Sequence, residues 1–257
     1  MRRVILDIEH TGFGYKAGDR MVEIGGVEVV NGITTSHFFH SYLNPQAPIN
    51  YHAQKIHGLS LGFLADKPLF SQVAQELISF IGDAQVLLHN ARCDLIYLNG
   101  ELKLADKFAI SRSRVLDTLS LARRAKLPKP GLDGMIRDLG ILVPKRGFHT
   151  ALSDAIILAE AVRLLENPDA EPQKIQLPSR NSLRRLGIGS RQEDQKNMLR
   201  VGTAIAQNVP VSMPTAQSGN ATSSREKELK KPPARAPWWI KKKFQKVLKA
   251  AKVASKN

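Results

Sequence analysis

The residues of this sequence best suited to chemistry are two acids near its start, Asp7 and Glu9. Asp7 comes after three branched apolar residues that begin at Val4, and Ile8 separates it from Glu9. Such an apolar run is typical of a buried strand. Residues two apart on a strand point to the same face of the sheet, so the two carboxylates are expected side by side. A divalent cation between them would relieve their repulsion and lost hydration, because hard cations bind carboxylate oxygens. The alternative interpretation is a strand end that enters a loop with both acids in solvent.

Three further residues could complete an active site around the metal, namely the acids Asp94 and Asp154 and, as a base, His149. Asp94 starts a predicted helix after the fourth predicted strand, and Asp154 lies in the last predicted helix. His149 precedes Asp154 by five residues, so it need not share the aspartate's face and could lie on the loop entering that helix. Four carboxylates and a histidine suit a two-metal phosphoryl-transfer site, in which carboxylates hold two cations ~4 Å apart and histidine deprotonates water.

An α/β domain with a mixed sheet has to position these residues. The chain begins with three strand-like segments, and Asn31-Gly32 between the second and third is a strong hairpin signal, which predicts an antiparallel meander. Beyond Pro68, segments with apolar residues at helical spacing alternate with short apolar strands. The last predicted helix runs from His149 to Leu165, and the domain is predicted to span residues 1–166.

Three separated segments carry a resemblance to a known family, and they read Asp7-x-Glu9-x-Thr11-Gly12, His89-Asn90-Ala91-x-x-Asp94 and His149-x-x-x-x-Asp154. In order and spacing they resemble the three motifs of the DEDDh 3'-5' exonucleases. Within that family the chain is most similar to the proofreading subunits of bacterial DNA polymerases, over about residues 2–165. The resemblance implies a ribonuclease H-like fold, with a mixed five-stranded sheet flanked by helices, and two Mg2+ or Mn2+ ions.

The resemblance also implies a role for each motif residue. His149 is the expected general base, and the expected metal ligands are Asp7, Glu9, Asp94 and Asp154. The residues expected along the 3'-terminal nucleotide are Thr11, Gly12, His57 and Asn90. The function implied is a metal-dependent 3'-5' exonuclease acting on single-stranded or frayed DNA 3' ends, as the proofreading subunit of a bacterial DNA polymerase. Two alternatives stay open: an exoribonuclease that trims RNA 3' ends, and an adaptor that binds nucleic acid or polymerase without catalysis.

The first two motifs depart from the family pattern. Ile8 and His10 stand where the family usually has threonines, Arg92 adds a charge, and Cys93 replaces a phenylalanine. These changes remove no expected metal ligand. Cys93 is expected to be a small buried hydrophobe, His89 to be structural, and two further acids, Asp117 and Asp133, to be turn or cap residues.

The composition of the 257-residue chain is strongly basic, with a formal net charge of +15 and a pI near 10.1. This charge favours a polyanionic partner, nucleic acid before an anionic membrane surface. The single cysteine excludes an internal disulfide and fits a reducing compartment. Together with the resemblance to polymerase subunits, this leads us to expect a cytoplasmic, nucleoid-associated location. No apolar run approaches the ~18 residues of a membrane helix, and no membrane insertion is expected.

The chain after the predicted domain changes in character. Residues 167–236 are rich in Pro, Gln, Ser and Asn and are predicted to be a largely disordered linker. Residues 237–257 are predicted to form a basic amphipathic helix that could dock on a protein, bind nucleic acid or lie on an anionic membrane. The resemblance favours docking on the polymerase catalytic subunit. The expected anchors are Trp238, Trp239, Ile240 and Phe244.

Overall fold

The fold was obtained as a computed structural model, which describes residues 1–144 and 148–178. It contains a mixed five-stranded sheet with strand order β3-β2-β1-β4-β5. β1 pairs antiparallel with β2 and parallel with β4, and β4 pairs parallel with β5. The strands are β1 (Arg2–His10), β2 (Met21–Val30), β3 (Ile33–Tyr42), β4 (Gln85–Leu88) and β5 (Val115–Asp117).

The predicted antiparallel meander is confirmed. Asn31 and Gly32 have φ angles of 51° and 82°, so both adopt the left-handed backbone that a two-residue hairpin turn requires. Val30 faces Ile33 across this turn. The register that follows sets Glu23 opposite Glu9 and Gly25 opposite Asp7.

Seven α-helices flank the sheet within the described residues, and several begin where a side chain or a turn dictates. Asp117 caps the helix after β5 by accepting a hydrogen bond from the Leu119 amide, which confirms its predicted role as a cap. The helices are α1 (Tyr51–His57), α2 (Leu61–Leu64), α3 (Phe70–Ile81), α4 (Ala91–Leu104), α5 (Thr118–Arg124), α6 (Leu132–Leu139) and α7 (Ala151–Glu166).

Two hydrophobic cores lie on opposite faces of the sheet. Val4, Leu6 and Ile8 of β1 pack against α3 and α4, whereas Ile5 packs against α7 together with residues of α5 and α6. Asp7 and Glu9 alternate with the first set and share the face of Ile5, so they point toward α7. Nearly every residue of α7 is buried, which makes its position relative to the sheet rigid.

The packed chain continues beyond the boundary predicted at residue 166. Ile175 is buried in the core, and Lys174 forms a β-bridge with Leu142. Glu160 and Arg163 hold this extension by hydrogen bonds to the backbone of residues 173 and 171. The rest of the predicted linker and the whole predicted tail helix lie outside the described residues. In the described part of the chain, no helix has the length and apolarity that crossing a bilayer demands.

Candidate functional site

The chemistry-bearing residues converge at one edge of the sheet. β1, β4 and β5 run parallel to one another, so their carboxyl ends meet at the same edge. Glu9 lies near the end of β1. Asp94 lies in α4, the helix that follows β4, and Asp154 lies in the first turn of α7, which covers the meander. In open α/β sheets, clefts outside the carboxyl ends of the strands commonly bind ligands.

This convergence of acids makes ionisation of Asp7 unfavourable in the absence of a cation. Burial, and then repulsion from Asp154, Glu9, Asp94 and Glu23 in that order, raise the pKa of Asp7 well above its ordinary value. A cluster of acids with this property favours either protons or a cation in its midst.

Gly25 brings α7 close enough to the acids to join them. It lies on β2 directly opposite Asp7, and a Cβ atom at this position would come within 2.2 Å of the Leu152 amide nitrogen. The first turn of α7 therefore rests on the backbone of β2, and Asp154 in that turn lies near Asp7. A glycine inside a strand is a recognised sign of close backbone approach, so this signal was present in the sequence.

His149 lies on the loop before α7, and its imidazole Nδ1 is 2.7 Å from Oδ2 of Asp154. The sequence prediction that the histidine lies outside the helix, over the site, agrees with this geometry. The loop is held by a hydrogen bond from the His149 amide to the Ile56 carbonyl at 3.1 Å. The Phe148 ring also covers Gly58, where a Cβ atom would come within 2.7 Å of it. The segment 56–58 therefore positions the backbone of His149.

Asp94 is buried in the first turn of α4, on the inner side of the helix. Burial and then the charge of Asp117 raise the pKa of Asp94 to about 7. Burial alone would also raise the pKa of Asp117, but hydrogen bonds from the Ser120 hydroxyl and from backbone amides, including that of Ala91, outweigh it and lower that pKa. Asp117 thus caps α5, binds the start of α4 and keeps a negative charge near Asp94.

A buried pair that the sequence interpretation missed lies on the meander beside the acids. Glu23 and His40 are both almost fully buried, and their side chains are 2.8 Å apart. Glu23 faces Glu9 across the β1–β2 ladder and contributes to the raised pKa of Asp7. The position of Glu23 could have been predicted from the register of the hairpin, which puts Glu23 on the same face of the sheet as Glu9.

Thr11 and Gly12 shape the loop after β1. The Thr11 side chain is fully buried, donates to Asp19 at 2.9 Å and accepts from the Arg20 amide at 3.0 Å. A Cβ atom on Gly12 would come within 2.5 Å of the Asp19 carboxylate. Since both residues are buried, their effect on a nucleotide would come through the loop that they fold, and nucleotide contact stays a prediction.

His57 and Asn90, also predicted to lie along the nucleotide, differ in exposure. His57 ends α1 and is 1% exposed, and its Nδ1 accepts a hydrogen bond from the Leu59 amide at 3.0 Å. Asn90 is exposed, with a left-handed φ of 60° immediately before α4. Asn90 is therefore accessible to a ligand at this edge, whereas His57 belongs to the interior in this structure.

The departures from the family pattern have structural explanations. His10 stacks on Tyr97 with ring centroids 4.4 Å apart, and the Tyr97 hydroxyl donates to the Gly12 carbonyl at 2.7 Å. The prediction that Cys93 is buried is wrong, because its side chain is exposed. α4 begins at Ala91, earlier than predicted, so Arg92 and Cys93 lie on its outer surface.

The residues fit a divalent cation. Carboxylate oxygens of Glu9 and Asp154 and a ring nitrogen of His149 all lie within 4.8 Å of one another. Asp7 and Asp94 add two carboxylates whose raised pKa values reflect the same concentration of negative charge. Oxygen-rich donor sets of this kind suit hard divalent cations.

Comparison with known proteins places this arrangement in context. The family model for the RNase T type of exonuclease matches residues 4–162. DNA polymerase III subunit epsilon of Rickettsia felis is 41% identical over 165 residues, which are 62% of this chain and 72% of that protein. The same subunit of Escherichia coli K12 is 36% identical over 167 residues, which are 62% and 69% of the two chains.

Solved structures give the same result for the fold. Exonuclease X, solved in complex with 5' overhanging duplex DNA, has a TM-score of 0.50 and 25% identity, covering 65% of this chain and 92% of that one. Escherichia coli Exonuclease I with a dT13 oligonucleotide has a TM-score of 0.58 and 16% identity, covering 65% and 41%. At 16% identity the second likeness concerns the fold alone.

Proposed function

This chain belongs to the exonuclease family, and we propose that it is a 3'-5' exonuclease that proofreads DNA as part of a bacterial DNA polymerase. The observation that carries this proposal is the convergence of four carboxylates and a histidine, from β1, α4 and the start of α7, at one edge of the sheet. The similarity to epsilon subunits of DNA polymerase III supports the assignment to DNA and to a polymerase. A cytoplasmic location, at the nucleoid, goes with that assignment.

Asp7, Glu9, Asp94 and Asp154 hold two divalent cations in this proposal, with Mg2+ or Mn2+ as the candidates. When bound, the cations supply positive charge to the scissile phosphate and to the oxygens entering and leaving it. The carboxylates must be ionised to bind them, so apparent cation affinity should rise with pH as the raised pKa values of Asp7 and Asp94 are passed.

His149 takes the proton of the attacking water. An ionised Asp154 can only accept a hydrogen bond, so Nδ1 of His149 donates to it, and a neutral ring then carries its lone pair on Nε2. Water adds to the terminal phosphorus as the bond to the 3' oxygen breaks, His149 receives one proton, and solvent protonates the leaving oxygen. The products are a nucleoside 5'-monophosphate and a strand shortened by one nucleotide.

The deciding experiment digests DNA and RNA oligonucleotides of one sequence, labelled at the 5' end, with Mg2+, with Mn2+ or with chelator. We expect a ladder from the 3' end of DNA, weaker cleavage of RNA, and no cleavage with chelator. Asp7→Asn should abolish the ladder. Asp83→Asn is the matched control, because Asp83 is an exposed acid just before β4, at the opposite edge of the sheet. Faster cleavage of RNA than of DNA would reassign the enzyme to RNA ends, and binding without cleavage would leave only the adaptor role.

Residues 237–257, which lie outside the described part of the chain, are proposed to bind the polymerase catalytic subunit. Paired tryptophans at 238 and 239 suit an interface anchor, and Ile240 and Phe244 extend the apolar stripe. Deletion after residue 178 should spare hydrolysis of short single-stranded DNA but abolish association with the polymerase, because a tether raises local concentration without joining the site. Trp238→Ala with Trp239→Ala should weaken association in a way that salt changes little. A steep salt dependence governed by the tail lysines would instead identify DNA as the target of the tail.

A further inference from the structure

A surface groove runs along the outer side of α4, away from the carboxylate cluster. It encloses about 410 Å³ and is lined by Arg92, Leu95, Ile96, Asn99 and Arg112. Its floor is apolar: Leu95 is nearly buried, whereas Ile96 is 49% exposed. The two arginines mark its ends, one in the first turn of α4 and the other in the turn that precedes β5. An apolar floor between two cations matches the chemistry of a single strand, whose bases are apolar on their faces and whose backbone is anionic.

The far wall of the groove is fixed by the chain itself. The Asn99 side-chain amide donates to the Ile110 carbonyl at 3.1 Å, and its oxygen accepts from the Ile110 amide at 2.8 Å. This two-way bond holds the segment before Arg112 against α4. The Ser111 side chain then accepts from the Ser113 amide and closes the turn that carries Arg112. The position of the Arg112 backbone is therefore set by hydrogen bonds that do not use its side chain.

The arginines of the groove differ from the arginines that stabilise the fold. Arg2, Arg20 and Arg163 each bond a glutamate at 2.7 Å or less. Within residues 1–144 and 148–178, neither Arg92 nor Arg112 forms an ion pair within 4.0 Å, and both are exposed. Two such cations beside an apolar floor favour an anionic ligand that contacts both.

The groove begins at the end of α4 that is nearest to the candidate active site, although it lies on the outer side of the helix and the acids lie on the inner side. Arg92 lies between Asn90, which is exposed at the carboxyl edge, and Asp94, which points into the acid cluster. From Arg92 to Asn99 is seven residues, about 10 Å along the helix axis. At about 3.4 Å per stacked nucleotide, this length corresponds to roughly three nucleotides. A strand whose 3' end reaches the acids could therefore run along α4 to Arg112.

We propose that the α4 groove binds the three or so nucleotides upstream of the 3'-terminal nucleotide of single-stranded DNA, with Arg92 and Arg112 contacting phosphates and Ile96 contacting a base or sugar. This inference rests on the proposed exonuclease function, because it takes the 3' end to be held at the acid cluster. It predicts that the groove governs affinity for oligonucleotides and leaves the chemical step unchanged.

The test compares the full-length protein with Arg112→Gln, Arg112→Lys and the double variant Arg92→Gln with Arg112→Gln. Lys103→Gln is the matched control, because Lys103 is exposed near the other end of the same helix and lies outside the groove. Each protein hydrolyses a thymidine dinucleotide, too short to reach Arg112, and a 12-nucleotide thymidine strand, over a range of salt concentrations.

Arg112→Gln should raise KM for the 12-nucleotide strand roughly three- to tenfold with unchanged kcat, and should leave dinucleotide hydrolysis unchanged. The dependence of log(kcat/KM) on log salt should become less steep by about 0.7 for each phosphate that the variant no longer neutralises. Arg112→Lys should keep the wild-type salt dependence, and Lys103→Gln should match the wild type throughout.

A wild-type KM and salt dependence in the Arg112→Gln variant would overturn the proposal, as would an equal loss on both substrates. If the wild-type protein hydrolysed neither substrate, the proposed function would fail by itself. Equilibrium binding of the 12-nucleotide strand in chelator would then still test whether the groove binds DNA. Loss of affinity in Arg112→Gln but not in Lys103→Gln supports the proposal, and equal affinity in the two variants refutes it.

Discussion

Replacing Asp94 with asparagine should stabilise the metal-free protein at alkaline pH while abolishing its activity. Burial and the nearby charge of Asp117 raise the pKa of Asp94 from an ordinary value of 3.8 to about 7. Asparagine has nearly the same shape and carries no charge, so it removes the free-energy cost of a buried negative charge. It does so at the position where the acid is proposed to bind a cation. Stability and function therefore oppose each other at this residue.

The pH dependence follows from the direction of the shift. Between about pH 4 and pH 7 the unfolded chain has already released the Asp94 proton, whereas the folded protein still holds it. The folded state then binds more protons, so the free energy of unfolding falls as pH rises through this window and is level on either side of it. A pKa shift of about three units therefore lowers the free energy of unfolding by about 4 kcal/mol across this window, at 1.36 kcal/mol per unit. We expect a gain of roughly 2–4 kcal/mol for Asp94→Asn at about pH 8, since the buried amide has its own desolvation cost, and no gain at about pH 4.

Urea denaturation in chelator, followed by far-ultraviolet circular dichroism, measures these free energies of unfolding. The control is Asp83→Asn, which removes an exposed acid and should match the stability of the wild-type protein at each pH. Added Mg2+ or Mn2+ should stabilise the wild-type protein more than the Asp94→Asn variant, by mass action on the folded state. An Asp94→Asn variant that loses stability at pH 8, or gains as much at pH 4 as at pH 8, would refute the electrostatic argument.

Three further changes test other parts of the site. His149→Ala should lower kcat about 100-fold near neutral pH and remove the rise in kcat through the histidine range, measured as a pH–rate profile at saturating cation, while cation binding persists. Gly25→Ala should destabilise the protein by about 1–3 kcal/mol in urea denaturation and reduce activity further, because its Cβ would displace the backbone at Leu152. Cys93 should react with a maleimide in the folded protein, detected by mass spectrometry, since its side chain is exposed.

The glycine change has a matched control, and each of the three predictions has an outcome that would contradict it. For Gly25→Ala the control is Gly26→Ala, whose added Cβ atom would contact the Leu6 side chain rather than the backbone of a helix. This control should therefore affect α7 and the activity less than Gly25→Ala does. Equal losses in the two glycine variants would contradict the role of Gly25. An unchanged pH profile in His149→Ala would remove the base assignment. A Cys93 thiol that reacts only after denaturation would contradict its exposure at the start of α4.

Local pattern in the sequence determined the elements and the identity of the acids. Alternation along β1 puts Asp7 and Glu9 on one face, and Asn31-Gly32 can form only a few tight turns, so the meander was predictable from neighbouring residues alone. The spacing of the three motifs indicated the exonuclease family before any contact was known. These features depend on residues close together in the chain, where backbone geometry limits the possibilities.

Only the tertiary structure decided which side chains meet and which are buried. The charge of Asp117 near Asp94, the Glu23–His40 pair and the contact of Gly25 with α7 join segments far apart in the chain. Their packing depends on every element between them. Helix phase likewise decided exposure, because a helix that starts at Ala91 turns Asp94 inward and leaves Cys93 and Arg92 outside. Sequence periodicity specifies a face of an element, but the neighbour that covers that face is set by the whole fold, and for this reason the burial of His57 and the α4 groove became visible only in three dimensions.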